Sequence, residues 1–203
     1  MELETHQGGT PEEALPAFYF DLGSPESYLV AERILQTVPV ATEWIPVLAR
    51  DLPGHLGAGG LDRERLASTL ADRGLQPLRM PDPFPFDSAL AMRAATYARQ
   101  IGRTVPFAQA AFRQCFAAAR SLEAADNVVI AGSACEMHPA ALLKGAELRG
   151  THAALVAATA LAAERGVRDV PAVWVPGAGE APDRVFHGDE ALDAAAAAMG
   201  VPA

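Results

Sequence analysis

Only two of the 203 residues are cysteine, and Cys115 and Cys135 stand twenty residues apart without a C-x-x-C spacing. Thiol–disulfide exchange needs an accessible thiolate and a partner sulfur within bonding reach, and no neighbouring pair supplies them. Nor do these cysteines join histidines in a zinc-ligand pattern, so no metal is expected. They read as two buried, reduced thiols suited to a reducing, cytoplasmic setting. Positive charge is also scarce. Sixteen basic residues face 25 acidic ones, a formal net charge of −9, and without clustered Lys and Arg a sequence-independent grip on a phosphate backbone is excluded, so no nucleic-acid partner is expected. Residues 1–16 lack a basic segment followed by an apolar one, which argues against a secretory signal. The alanine-rich run from Thr151 to Ala163 is too short to cross a bilayer and meets Glu164 and Arg165 at once, so no membrane association is expected. A glycine-rich phosphate loop, a paired-carboxylate hydrolase site and a G-x-S-x-G elbow are absent too.

What is present suffices for a full core, since half of the residues are hydrophobic. Met1 to Pro16 is polar, with Gly8-Gly9, and reads as a loose leader. Phe18 to Leu22 predicts a buried strand, Glu26 to Gln36 a helix, and Ala41 to Leu48 a second strand, a right-handed βαβ unit with parallel strands. Gly57, Gly59 and Gly60 mark a flexible connection. From Leu61 to about Arg165 the pattern is helical: Leu61–Arg73, a helix capped by Asp87 or Ser88 after the rigid Pro81–Phe86 linker, another started by Pro106, then Leu122–Ala131, Pro139–Leu148 and Thr151–Arg165. Strand character returns at Val170–Val175 and Arg184–His187, before an alanine-rich helix over Asp189–Met199 capped by Asp189. This order predicts an α/β, thioredoxin-like domain with a large all-helical insertion, its two parts at 16–54 and 151–203 and the insertion at 55–150.

Ser24-Pro25 pairs an N-cap with a first helical residue, just beyond the strand and Gly23. The first turn then offers unpaired backbone N–H groups and the positive end of the helix field, where a thiolate, carboxylate or phosphate is stabilised. A plain capped helix accounts for the same residues. Glu26 stands two residues from Ser24, and a free carboxylate there would disfavour a thiolate by like-charge repulsion.

Phe18-Tyr19-Phe20-Asp21-Leu22-Gly23-Ser24-Pro25-Glu26-Ser27-Tyr28-Leu29 resembles the opening of the DsbA-like thioredoxin superfamily, in its branch of 2-hydroxychromene-2-carboxylate isomerases and kappa-class glutathione transferases. Gly166 to Val175, followed by Phe186 to Leu192, resembles that family's cis-proline strand and closing helix. Pro83-Phe84-Pro85-Phe86 and the helix carrying Arg93 resemble, more loosely, its helical insertion. By this resemblance Ser24 and Ser27 take the places of the two C-x-x-C cysteines. The implied activity is that of a thiol-dependent isomerase or transferase acting on a small hydrophobic or aromatic substrate, with glutathione or another low-molecular-weight thiol as cofactor. Ser24 would donate a hydrogen bond to the cofactor sulfur, and Ser27 would lie beside it. Val170, before a cis Pro171, would pair with the thiol's cysteinyl unit like an added strand, while Asp189 and Glu190 would hold a γ-glutamyl end. The assembly implied is a homodimer. Retention of the fold as a non-catalytic binding or assembly module is the alternative.

Trp174 could face a planar substrate and Arg93 an acidic one, although core packing and a solvated helix face account for these residues equally. His55 and His187 can carry protons, with surface or structural roles as the plainer reading. His138-Pro139 closes a turn before a helix.

Overall fold

A computed structural model describes residues 14–38, 40–57, 61–75, 77–177 and 179–200. Residues 1–13 of the leader, and the glycines at 59 and 60, lie outside this set.

The first strand, β1 (Ala17–Phe20), is fully buried along its length. That is what an unbroken apolar run requires, because a central strand covered on both faces has no side for polar residues. Beside it β2 (Glu43–Pro46) runs parallel, with Phe18 opposite Trp44, and on the other side β3 (Ala172–Val175) runs antiparallel, with Phe18 opposite Val173. β4 (Arg184–His187) completes a mixed sheet in the order β2-β1-β3-β4. The helix α1 (Pro25–Thr37) joins the parallel pair. This is the thioredoxin-like core expected from the order of elements.

Between β2 and β3 lie α2 (Arg63–Asp72), α3 (Ala89–Gln100), α4 (Thr104–Phe116), α5 (Ala125–Ser133), α6 (Pro139–Glu147) and α7 (Arg149–Glu164), and α8 (Leu192–Ala198) closes the chain. Side-chain alternation divides the sheet between two layers. Phe18, Phe20, Trp44, Val173 and Val175 face α1, α3 and α4 in the larger core, where the Phe18 and Trp44 rings meet edge-on at 5.0 Å. Tyr19, Ile45, Ala172 and Trp174 face α7 through Ala158 and Ala162. The Leu48 N–H reaches the Thr159 hydroxyl at 3.0 Å and ties the end of β2 to α7.

Most predicted elements appear with shifted ends. The Pro106 helix begins at Thr104, and the Leu122 helix at Ala125. Ser88 stands at the N-cap of α3 without a side-chain cap bond, and Asp87 just before it accepts the Ala89 N–H at 2.9 Å. The last helix is shorter than predicted. Asp189 opens a single 3-10 turn over Asp189–Ala191 after Gly188, whose φ of 80° suits only glycine, and its carboxylate points to arginines instead of capping. No described helix is long and apolar enough to cross a membrane.

Candidate functional site

Where β1 hands over to α1, the backbone is held from below by a buried carboxylate. Asp21 Oδ1 accepts the Gly23 N–H at 2.8 Å and Oδ2 accepts the Ala49 N–H at 2.9 Å, so one side chain ties the β1 turn to the end of β2. Burial pushes its carboxyl above the ordinary range, and the N–H donors of Ala49 and Gly23 and the Ser88 hydroxyl offset this in part. The Ser24 N–H bonds the Asp21 carbonyl at 3.0 Å. Ser24 is the N-cap predicted, its Oγ accepting the Ser27 N–H at 3.1 Å. A hydroxyl that accepts through a lone pair keeps its proton available to donate.

Ser24 opens into a cavity of about 510 Å³. One wall is apolar, made by Leu56, Leu61, Phe84, Pro85 and Phe86, with Phe84 resting edge-on against Phe116. The rest of the lining is polar or charged, from Arg50, His55, Arg65, Asp87 and Asp169. Arg50 pairs with Asp87 at 2.7 Å. His55 Nδ1 lies 2.9 Å from Asp169 Oδ1, which also accepts the Val170 N–H at 2.8 Å.

A second cavity, about 300 Å³, continues past Val170 and Pro171 to His187, Asp189 and Glu190 and shares Glu26, Arg65, Asp169 and Val170 with the first. The Val170–Pro171 bond is cis, as the resemblance implies. Arg65 spans the junction, 2.8 Å from Glu26 and 2.7 Å from Glu190. Burial raises the Glu26 carboxyl and Arg65 pulls it back, so the carboxylate beside Ser24 is paired, which weakens the like-charge repulsion expected there. Asp189, 8% exposed, is held by Arg73 through both oxygens and by Arg33 at 3.4 Å.

Ser24, Val170, Pro171, Asp189 and Glu190 therefore line one continuous cleft. The other predicted residues do not reach it. Ser27 is fully buried, on the side of α1 that faces the core, and lines neither cavity. Trp174 is buried on the α7 face of the sheet, where Arg165 lies 3.8 Å above its ring. Arg93 is half-buried on α3 and lines neither cavity. The cysteines are free and buried inside the helical block, with burial pushing the Cys115 thiol up to about 12. Arg65, Asp169 and Asp21 are the residues that sequence reasoning passed over. Asp169 carried one signal, its place next to Val170-Pro171; Arg65 carried none, because its partners lie 39 and 125 positions away.

No family model and no curated protein sequence matches the chain. Solved structures do. A structure of 2-hydroxychromene-2-carboxylate isomerase superposes with a TM-score of 0.75 at 17% identity, over 92% of this chain and 95% of that one. A probable DsbA oxidoreductase from Streptomyces coelicolor gives 0.70 at 18% identity, over 91% and 87%. The cytosolic disulfide reductase DsbM from Pseudomonas aeruginosa, solved with GSH, gives 0.63 at 12% identity, over 92% and 98%. At such identities the likeness establishes the fold alone, a thioredoxin-like α/β core with a large helical insertion.

Proposed function

We propose that the protein is a thiol-dependent isomerase or transferase, using glutathione or another low-molecular-weight thiol on a small hydrophobic or aromatic substrate. The observation that carries this reading is the Ser24 hydroxyl at the first turn of α1, opening into a cavity lined in part by Phe84 and Phe86 and, past Val170-Pro171, into a second one lined by His187, Asp189 and Glu190. A thiol sulfur at Ser24 would accept a hydrogen bond from the hydroxyl and sit in the field of the helix start, which lowers the cost of ionising it. The body of the thiol would then extend along Val170-Pro171, and the substrate would pack against Phe84 and Phe86. Serines at 24 and 27 leave no disulfide to cycle, so the sulfur that reacts must belong to the cofactor. The likeness to 2-hydroxychromene-2-carboxylate isomerase and to DsbM with GSH supports the same reading.

Two contacts bear on which thiol is used. The Val170 N–H is already taken by Asp169, and the Asp189 carboxylate by Arg73 and Arg33. A γ-glutamyl ammonium would have to compete with those arginines, which favours a thiol with a different far end. The same pairing favours the second reading, a non-catalytic binding module whose ligand groups are satisfied internally. Calorimetric titration with glutathione, γ-glutamylcysteine, cysteine and coenzyme A separates the two. Binding in the micromolar to millimolar range, weakened in Ser24→Ala, is expected; silence toward every thiol at millimolar concentration would discard the enzyme reading.

A further inference from the structure

We propose that His55, oriented by Asp169, is the proton-transfer residue of this cleft, taking the proton of a thiol seated at Ser24 and returning it at the end of the cycle. This inference rests on the thiol-dependent reading above. Its basis is a pair of loops pinned against each other at two successive positions. The Gly54 N–H donates to the Arg168 carbonyl at 2.7 Å, and one residue further along each loop His55 Nδ1 meets Asp169 Oδ1 at 2.9 Å. The approach needs glycine, since a Cβ on residue 54 would fall 2.9 Å from both the Cβ and the carbonyl oxygen of Arg168.

The carboxylate is fixed in its turn. Asp169 Oδ1 accepts the Val170 N–H, and the Arg168 N–H donates to His187 Nε2 at 3.0 Å, so the loop that carries Asp169 is tied on both sides. An ionised carboxylate can only accept, so Nδ1 of His55 carries the hydrogen and Nε2 is left with its lone pair. His55 lines the same cavity as Ser24 and is 30% exposed, open to a proton from a bound molecule.

The step balances without a redox partner. Nε2 takes the S–H proton, the sulfur electron pair forms a C–S bond to the β-carbon of an α,β-unsaturated carbonyl compound, and the π pair moves to the carbonyl oxygen. In an isomerisation the former double bond rotates as a single bond, the C–S bond breaks, and the thiolate regains the proton from His55. In a transfer the proton goes to the α-carbon of the adduct. The Asp169 carboxylate holds the ring in one orientation throughout the cycle, 2.9 Å from Nδ1.

The other charged groups on the cavity are Asp21 beneath it, the Arg50–Asp87 pair, and Glu26 with Arg65, which Glu190 shares. His187 also faces the second cavity, and burial lowers its pKa. Of these groups Asp21 feels His55, which offsets part of the upward push of burial on its carboxyl. The test compares wild type, His55→Gln and Asp169→Asn with glutathione and benzylideneacetone. Thiolate ultraviolet absorbance of the bound thiol is followed across pH, thiol affinity by calorimetry, and the His55 tautomer by nitrogen NMR. Expected are unchanged thiol affinity in His55→Gln, a rate lower by about 100-fold or more near neutral pH, and recovery toward wild type as pH passes the free thiol's own pKa. Asp169→Asn should lose the Nδ1–H tautomer and fall between the two. Wild-type rates and thiolate signal in His55→Gln with binding intact, or an Nε2–H tautomer in the wild type, would overturn the role of His55 alone. Absence of thiol binding in the wild type would instead remove the thiol reading and this inference together.

Discussion

Two glycines solve the same steric problem in opposite parts of the molecule. In the helical block, Gly145 on α6 lets the Tyr97 ring of α3 lie against the helix backbone, where any Cβ would overlap the ring. At the cleft, Gly54 lets a polar loop close on Arg168. Around Gly145 the buried residues are Ala94, Ala98, Leu142 and Ala146, and the nearby buried hydroxyl, Thr96, bonds its own helix at Met92. Around Gly54 stand the buried Asp21, the half-buried Asp169 and the exposed His55, with bonds that cross from one loop to another. One close approach buries apolar surface, and the other assembles charge. The difference teaches where chemistry can reside: apolar packing leaves a proton or an anion nothing to bind, whereas loops tied by polar bonds expose donors and acceptors to a cavity.

The largest test of this contrast is Asp21→Ala. It strips the acceptors from the Gly23 and Ala49 N–H groups, and orphaned buried donors cost about 1–3 kcal/mol each, so a loss of about 3 kcal/mol is expected in urea melts together with loss of thiol binding. The pH dependence has a definite sign. Because burial holds the Asp21 carboxyl above its ordinary value, the folded chain keeps a proton that the unfolded chain releases. Its contribution is fullest below the ordinary carboxyl pKa of about 3.9 and is lost as pH rises through the folded value. Asp21→Asn, which has no proton to lose, should therefore lose less stability than wild type as the pH is raised from about 4.

Gly145→Ala should come next, at about 2–3 kcal/mol from overpacking against the Tyr97 ring. Thermal melts would register it, while thiol affinity at a temperature where the variant is folded should stay at the wild-type value. An affinity loss there would mean that the helical block and the cleft are coupled. Gly54→Ala is expected to cost less, about 1–2 kcal/mol, since a loop can yield where a helix pair cannot. It should nevertheless displace His55 from Asp169 and shift the His55 nitrogen resonances, a combination that the Gly145 variant should not show.

The fold was legible because its strongest signals are local. Ser24-Pro25 after an aromatic strand marks the start of α1 within one residue, and the helices between Ala89 and Glu164 follow from periodicity, prolines and glycines. Their ends moved by one to three residues, as at Ala125, where the capping choice lies with neighbouring turns. The cleft was legible only in part. Ser24, Val170, Pro171, Asp189 and Glu190 converge there. Trp174 and Ser27 do not, because a residue's side of a strand or helix depends on the register of the whole element, and one position of difference turns a side chain from cavity to core.

What the sequence determined by itself was the set of elements and the loss of disulfide chemistry, since periodicity, capping and the identity of residues 24 and 27 act within a few positions of the chain. The tertiary structure alone decided the charges of the cleft. His55 meets Asp169 across 114 positions, Arg73 meets Asp189 across 116, and Arg65 joins Glu26 to Glu190. Such pairs leave no trace in spacing, because a charged side chain's partner is chosen by which surfaces the packed helices and loops bring within a few ångströms.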